Sequence, residues 1–187
     1  MIEFSLMIFA AGYGKRISHL TINKPKPMLK VGGKPLINHA LDVGLAFSPK
    51  RIVVNTHFQH KMLSDHLRDS PVYLSREHPR ILETGGGLRN ALSILESNPV
   101  MTLNSDSVWL GPNALSLLAK HWKPKKMDGL LLCYQRQKAT TFHKKGDFYF
   151  NRDGRLKRNG NLIYTGAQII KTDWLHEIKK EKFSINL

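Results

Sequence analysis

Two hydrophobic rhythms alternate along the chain. Short apolar runs occupy positions 5–10 (SLMIFA), 51–56 (RIVVNT), 72–75 (VYLS), 99–106 (PVMTLNSD) and 129–134 (GLLLCY). The first of them does not alternate with polar residues, which is the pattern of a strand covered on both faces. Between the runs lie stretches with helical spacing. Ile37, Ala40, Leu41 and Leu45 line one stripe of 36–47; Met62, Leu63, His66 and Leu67 line one of 60–69. Leu88, Ala91, Leu92 and Leu95 do the same in 86–95, and Leu115, Leu118, Ala119 and Trp122 in 111–122, where Pro112 suits a first helical turn. Strand then helix, repeated, predicts an α/β fold with helices on both faces of a parallel sheet.

The rhythm changes from about Ala139. Residues 147–158 (DFYFNRDGRLKR) predict a hairpin turning at Asp153-Gly154. Residues 161–171 predict a strand interrupted by a glycine, and 173–180 a helix. There is no internal repeat and no low-complexity linker, so the 187 residues predict one domain.

In such sheets ligands bind beyond the carboxyl ends of the strands. The segments of interest are therefore AAGYGKR, NTH, SREHPRILETGGG and NSDSVW, which follow the first four runs. The first is neither a Walker A loop, since Gly33-Lys34-Pro35 lacks the required ending, nor a dinucleotide fingerprint, since Ile17 stands at the third glycine. It still suits an anion: N–H groups at Ala11 to Gly14 can face phosphate, and Arg16 can grip it bidentately. Pro25 and Pro27 are expected to hold the chain extended around Lys26 and to aim one fixed positive charge. Gly85 to Gly87 open a helix, where N–H groups bind anions or meet a base. Asp106, just past a buried strand, is a natural Mg²⁺ ligand beside a phosphate site.

Composition narrows the partner. Apolar residues are 41% and charged residues 23%, ordinary for a globular domain. Lys and Arg number 29 against 14 acidic residues, a net charge of +15. That favours an anionic partner: nucleic acid, an acidic membrane or a phosphorylated small molecule. The basic residues are spread along the whole chain, whereas nucleic-acid readers gather them on one element among aromatics. Cys133 is the sole cysteine, which excludes an internal disulfide or a thiolate zinc site. His57, His60 and His66 have no carboxylate or cysteine at metal-ligand spacing. No G-x-S-x-G is present, and Cys133 lies within a strand-like run. No leader-like apolar segment and no run of membrane-spanning length occur, so a soluble, cytoplasmic protein is expected.

Taken together, AAGYGKR followed by KPKPML resembles the G-x-G-x-R and K-P-K-P signature of the sugar-1-phosphate nucleotidyltransferases. LETGGG and NSDSVW are most similar to a short bacterial branch that includes N-acetylmuramate-1-phosphate uridylyltransferases and mannose-1-phosphate guanylyltransferases. DGRLKR and YTGAQII match that branch's hairpin and sugar-side strand. The resemblance implies a three-layer Rossmann-like (GT-A-like) α/β fold with a mixed, mostly parallel central sheet. It implies transfer of NMP from an NTP to a sugar 1-phosphate. The expected pair is UTP with an N-acetylmuramate- or N-acetylglucosamine-type 1-phosphate; the alternatives are GTP with mannose 1-phosphate, or a nucleotide-sugar-binding protein with little activity. Nucleic acid and membrane are not expected as partners.

By motif match, Ala11, Gly12, Gly14 and Arg16 would hold the triphosphate, and Lys26 would stabilise charge at the α-phosphate. Asn55, Glu83, Thr84, Gly85 and Gly86 would serve the base and ribose, Thr165 and Gly166 would lie near the sugar, and Asp106 would bind Mg²⁺. One departure stands out. The family carries a second metal-binding aspartate in a W-x-D-x-G-like motif, and KTDWLHEIKKE, with Asp173, Glu177 and Glu181, does not match it. The expectation is a domain over 1–187 without the family's C-terminal end, with an incomplete metal site and feeble turnover.

Overall fold

The computed structural model describes residues 3–140 and 146–185. In chain order the strands are β1 (Ser5–Phe9), β2 (Lys30–Val31), β3 (Lys34–Pro35), β4 (Ile52–Thr56), β5 (Tyr73–Arg76), β6 (Val100–Asn104), β7 (Gly129–Gln135), β8 (Phe148–Phe150), β9 (Leu156–Arg158) and β10 (Leu162–Ile170). The α-helices are α1 (Ser18–Thr21), α2 (Leu36–Phe47), α3 (His60–His66), α4 (Glu83–Leu95) and α5 (Ala114–His121).

β1 is covered on both faces, as its unbroken apolar run requires. Leu6 and Ile8 join a core with Ile37, Ala40 and Leu41 of α2, Leu63 of α3 and Leu115 of α5. Met7 joins the opposite core with Leu88, Ala91 and Leu95 of α4, and with Leu175 and Ile185. The molecule thus has three layers. β1 pairs in parallel with β4 on one side and β6 on the other, and β5 pairs in parallel with β4. β10 then runs antiparallel to β6, with Ala167 opposite Leu103, and β7 lies antiparallel on its far flank, with Leu131 opposite Gln168. The sheet is therefore mixed and parallel through its first four strands in space, with β10 inserted between β6 and β7.

Four local expectations are corrected. α5 starts at Ala114, not in the turn of Pro112, because the Asn113 side chain caps it by accepting from the N–H groups of Leu115 and Ser116 (2.9 and 3.1 Å). Leu45 stays 44% exposed. Its place on the buried face goes to Gly44, where a Cβ would crowd Leu6 and Ile52. The segment after β10 forms a 3₁₀ turn over Asp173–Glu177 rather than a full helix to 180. Lys26 is not in extended chain: Lys26–Met28 is a 3₁₀ turn closed by Leu29 N–H to the Lys26 carbonyl (3.0 Å). Proline's fixed φ fits that turn as readily as an extended segment. The predicted hairpin forms from β8 and β9, its loop closed around Asn151, with Gly154 at φ 73°.

Candidate functional site

The carboxyl ends of β1, β4, β5 and β6 open into one cleft of about 920 Å³, bounded on its other side by Tyr164 to Gly166 of β10. A smaller hollow of about 350 Å³ adjoins it through Phe9, Thr84, Asn104 and Tyr164, and runs towards Asp147 and Arg158. The strand ends are tied to each other. Ser105, just past β6, donates from its hydroxyl to the Phe9 carbonyl (2.7 Å).

The loop after β1 lines the cleft through Ala11, Gly12 and Gly14. Among the described residues, none accepts a hydrogen bond from the N–H groups of Ala11, Gly12, Tyr13 or Gly14. Unpaired donors at a strand end are what an anion site offers. Gly14 adopts φ 66°, and a Cβ there would crowd Thr21 and Lys26, so the position demands glycine on both counts. The Arg16 backbone lies in the first short helical turn, Lys15–Ile17; its side chain lies outside the described parts.

Lys26 and Asp106 meet across the mouth. The Lys26 ammonium is ion-paired with Asp106 Oδ2, and both side chains keep about 30% of their surface open to the cleft. These two residues lie 80 positions apart in sequence, and the fold brings them into direct contact. Asp106 is a single carboxylate: among the described residues, no group of three His, Cys, Asp or Glu side chains could hold a metal. Of the late acidic residues, Asp173 accepts from Asn98 and Glu181 pairs with Arg80, both away from the cleft.

The glycine run has a different setting from the one expected. Gly85 and Gly86 are buried, and their N–H groups both donate to the Phe183 carbonyl (2.9 and 3.1 Å). A Cβ on Gly85 would overlap the Phe183 ring, and one on Gly86 the Glu181 carbonyl. The three glycines of α4 therefore permit close approach, two of them under the segment 181–185. That segment is fastened further by Arg89, which donates to the carbonyls of Ile178 and Lys180 and covers the Phe183 ring. Glu83 and Thr84, unlike their glycine neighbours, do line the cleft. Thr84 Oγ1 accepts from Ile185 N–H (3.0 Å), and Glu83 holds φ 63°, a strained value for a residue with a side chain.

Thr165 and Gly166 form the wall opposite. Thr165 donates to the Leu132 carbonyl (2.6 Å), and Gly166 packs on Asn104 at a bulge in β10. Asn55 lies at the back of the cleft but is 3% exposed, with its side chain engaged internally by Ala10 and Glu77. Sequence reading passed over Glu77. It is 1% exposed, and burial pushes its carboxyl above the usual carboxylate range. Its position directly after β5, in a segment already singled out, was the available signal.

Comparison with known proteins places the chain among nucleotidyltransferases in sequence and fold. A model of the MobA-like NTP transferase domain matches residues 6–159. The chain is 36% identical over 181 residues to N-acetylmuramate alpha-1-phosphate uridylyltransferase of Caulobacter vibrioides, covering 89% of this chain and 75% of that protein. It is 30% identical over 125 residues to mannose-1-phosphate guanylyltransferase of Mycobacterium tuberculosis, covering 64% of this chain and 34% of that one. In fold it is similar to HddC from Yersinia pseudotuberculosis complexed with GMP-PN, at a TM-score of 0.79 and 19% identity, covering 98% of this chain and 84% of that one. The inositol-1-phosphate CTP transferase from T. maritima aligns at a TM-score of 0.79 and 17% identity, covering 100% and 79%.

Proposed function

The chain belongs to the family of MobA-like NTP transferase domains, and from that premise we propose that it transfers NMP from an NTP to a sugar 1-phosphate. A phosphate oxygen of the sugar 1-phosphate attacks the α-phosphorus in line. The bond to the β-phosphate oxygen breaks, and pyrophosphate leaves with that electron pair. The nucleophile is already an anion, so no side chain has to remove a proton. The work left to the protein is alignment and neutralisation of charge.

The observation that carries this reading is the Lys26–Asp106 pair facing a loop of unpaired N–H groups at the carboxyl end of the sheet. In the proposed assignment Ala11, Gly12 and Gly14 hold the triphosphate, with Arg16 joining them on the strength of its motif. Lys26 leaves Asp106 for the α-phosphate. Glu83 and Thr84 face base and ribose, with Gly85 and Gly86 supporting them from beneath, and Thr165 and Gly166 face the sugar. Asp106 suits Mg²⁺: it offers hard oxygens, it is partly open to the cleft, and such ions take one or two carboxylates plus substrate phosphates. Bound there, the ion would neutralise phosphate charge.

UTP with an N-acetylmuramate-type 1-phosphate is the favoured pair, because the uridylyltransferase relative is the more similar over the longer stretch. Pyrophosphate release, measured for each of the four NTPs against a panel of sugar 1-phosphates with Mg²⁺, tests the assignment. Release with UTP and N-acetylmuramate 1-phosphate is expected, and EDTA should abolish it. No release from any pair would end the reading, while GTP with mannose 1-phosphate outrunning the UTP pair would transfer it to the guanylyl alternative.

A further inference from the structure

A line of hydrogen bonds runs behind the cleft, and both of its ends are backbone donors. At one end is Ala10 N–H, where β1 leaves the sheet; at the other is Leu82 N–H, just before α4. Between them, Asn55 Oδ1 accepts from Ala10 (2.7 Å) and Asn55 Nδ2 donates to Glu77 Oε1 (2.7 Å). Glu77 Oε2 accepts from Leu82 (2.6 Å). An amide side chain donates at one end and accepts at the other, so it passes polarity along unchanged. A line that starts and finishes on donors, with one amide in it, therefore needs one group that accepts at both ends. An ionised carboxylate at position 77 is that group. Two charge-assisted hydrogen bonds offset part of the cost of burying it. Helix α4 makes room as well, since a Cβ on Gly87 would overlap Glu77 Oε1.

A second connection leads the same way. The Glu77 carbonyl accepts from His57 Nδ1 (2.9 Å), which leaves Nε2 to accept from the Tyr13 hydroxyl (2.8 Å). Tyr13 belongs to the loop after β1, and its ring meets His57 edge-on. Residue 77 thus reaches that loop twice, by its carboxylate through Asn55 at the start and by its backbone carbonyl through His57 in the middle.

We propose that Glu77 is a positioning residue for nucleotide binding: it fixes the direction of the N–H groups of Ala11 to Gly14 and, through Leu82, the placement of Glu83 and Thr84. This rests on the nucleotide-transfer reading above. It does not require Glu77 to touch substrate.

A polarity swap tests it. Glu77→Gln keeps the shape but forces two donors to face each other somewhere on the line, whichever way Asn55 turns. Asn55→Asp alone sets two carboxylates against each other. The two changes together restore the match: the carboxylate now at position 55 accepts from Ala10 and from the new amide, whose oxygen accepts from Leu82. Each single change should raise the KM for NTP about ten-fold, with a smaller effect on kcat, and speed amide hydrogen exchange at Ala10, the paired N–H where the loop begins. The double change should bring both back to within about three-fold of the parent.

Three results would overturn the inference. The single changes could leave KM and Ala10 exchange as in the parent. The double could do no better than the worse single. Or the changes could lower the melting temperature alone, with KM and Ala10 exchange unmoved. If the parent releases no pyrophosphate from any NTP, the functional reading fails by itself, and Ala10 exchange across the same four proteins still decides whether Glu77 orders the loop.

Discussion

Lys26 and Asp106 form an ion pair across the mouth of the cleft. In the cleft each satisfies the other, at a partly exposed position where such a pair contributes about 0–1 kcal/mol. Its value to stability is small, so its removal should be felt in chemistry. Lys26→Met is expected to lower kcat about 100-fold or more, as loss of one charge-stabilising donor does elsewhere, while the urea midpoint moves little. A variant with full turnover would show that Lys26 does not act on the reacting phosphate. Both positions were singled out in the sequence, Asp106 because it follows a buried strand and Lys26 because Pro25 and Pro27 frame it. Glu77 was not, since a lone glutamate among polar neighbours reads as a solvated side chain. Its burial depends on α4 packing over it with a glycine at position 87.

At the scale of elements, α4 and the segment after β10 behave as one unit. The glycines at the start of α4 give up their N–H groups to Phe183, and Arg89 ties the same segment down from the next turn. Gly86→Ala would press a methyl group into the Glu181 carbonyl. It should cost about 1–3 kcal/mol of stability, read as a lowered urea midpoint. An unchanged midpoint would mean that 181–185 does not seat on α4. Periodicity identified the helices and strands from local residues alone. It could not identify what covers the start of α4, because Ile185 and Thr84 meet from 101 positions apart. The same limit explains Lys26: two prolines specify φ, and the choice between extended chain and a 3₁₀ turn is made by packing, with Pro25 and Pro27 both buried.

For the whole molecule, the deciding feature is the late strand placed in the middle of the sheet. Among the described residues β7 pairs with β10 alone, and β6 gains its outer neighbour from the same strand. Until β10 emerges during synthesis, then, β6 and β7 each lack the strand neighbour that β10 supplies. A polypeptide ending before Leu162 should sediment as aggregates when expressed, whereas one that includes β10 should stay in the supernatant; equal solubility would contradict this. The nascent chain consequently has an interval in which it is vulnerable to sticking to its neighbours on the polysome, and the emergence of β10 ends that interval.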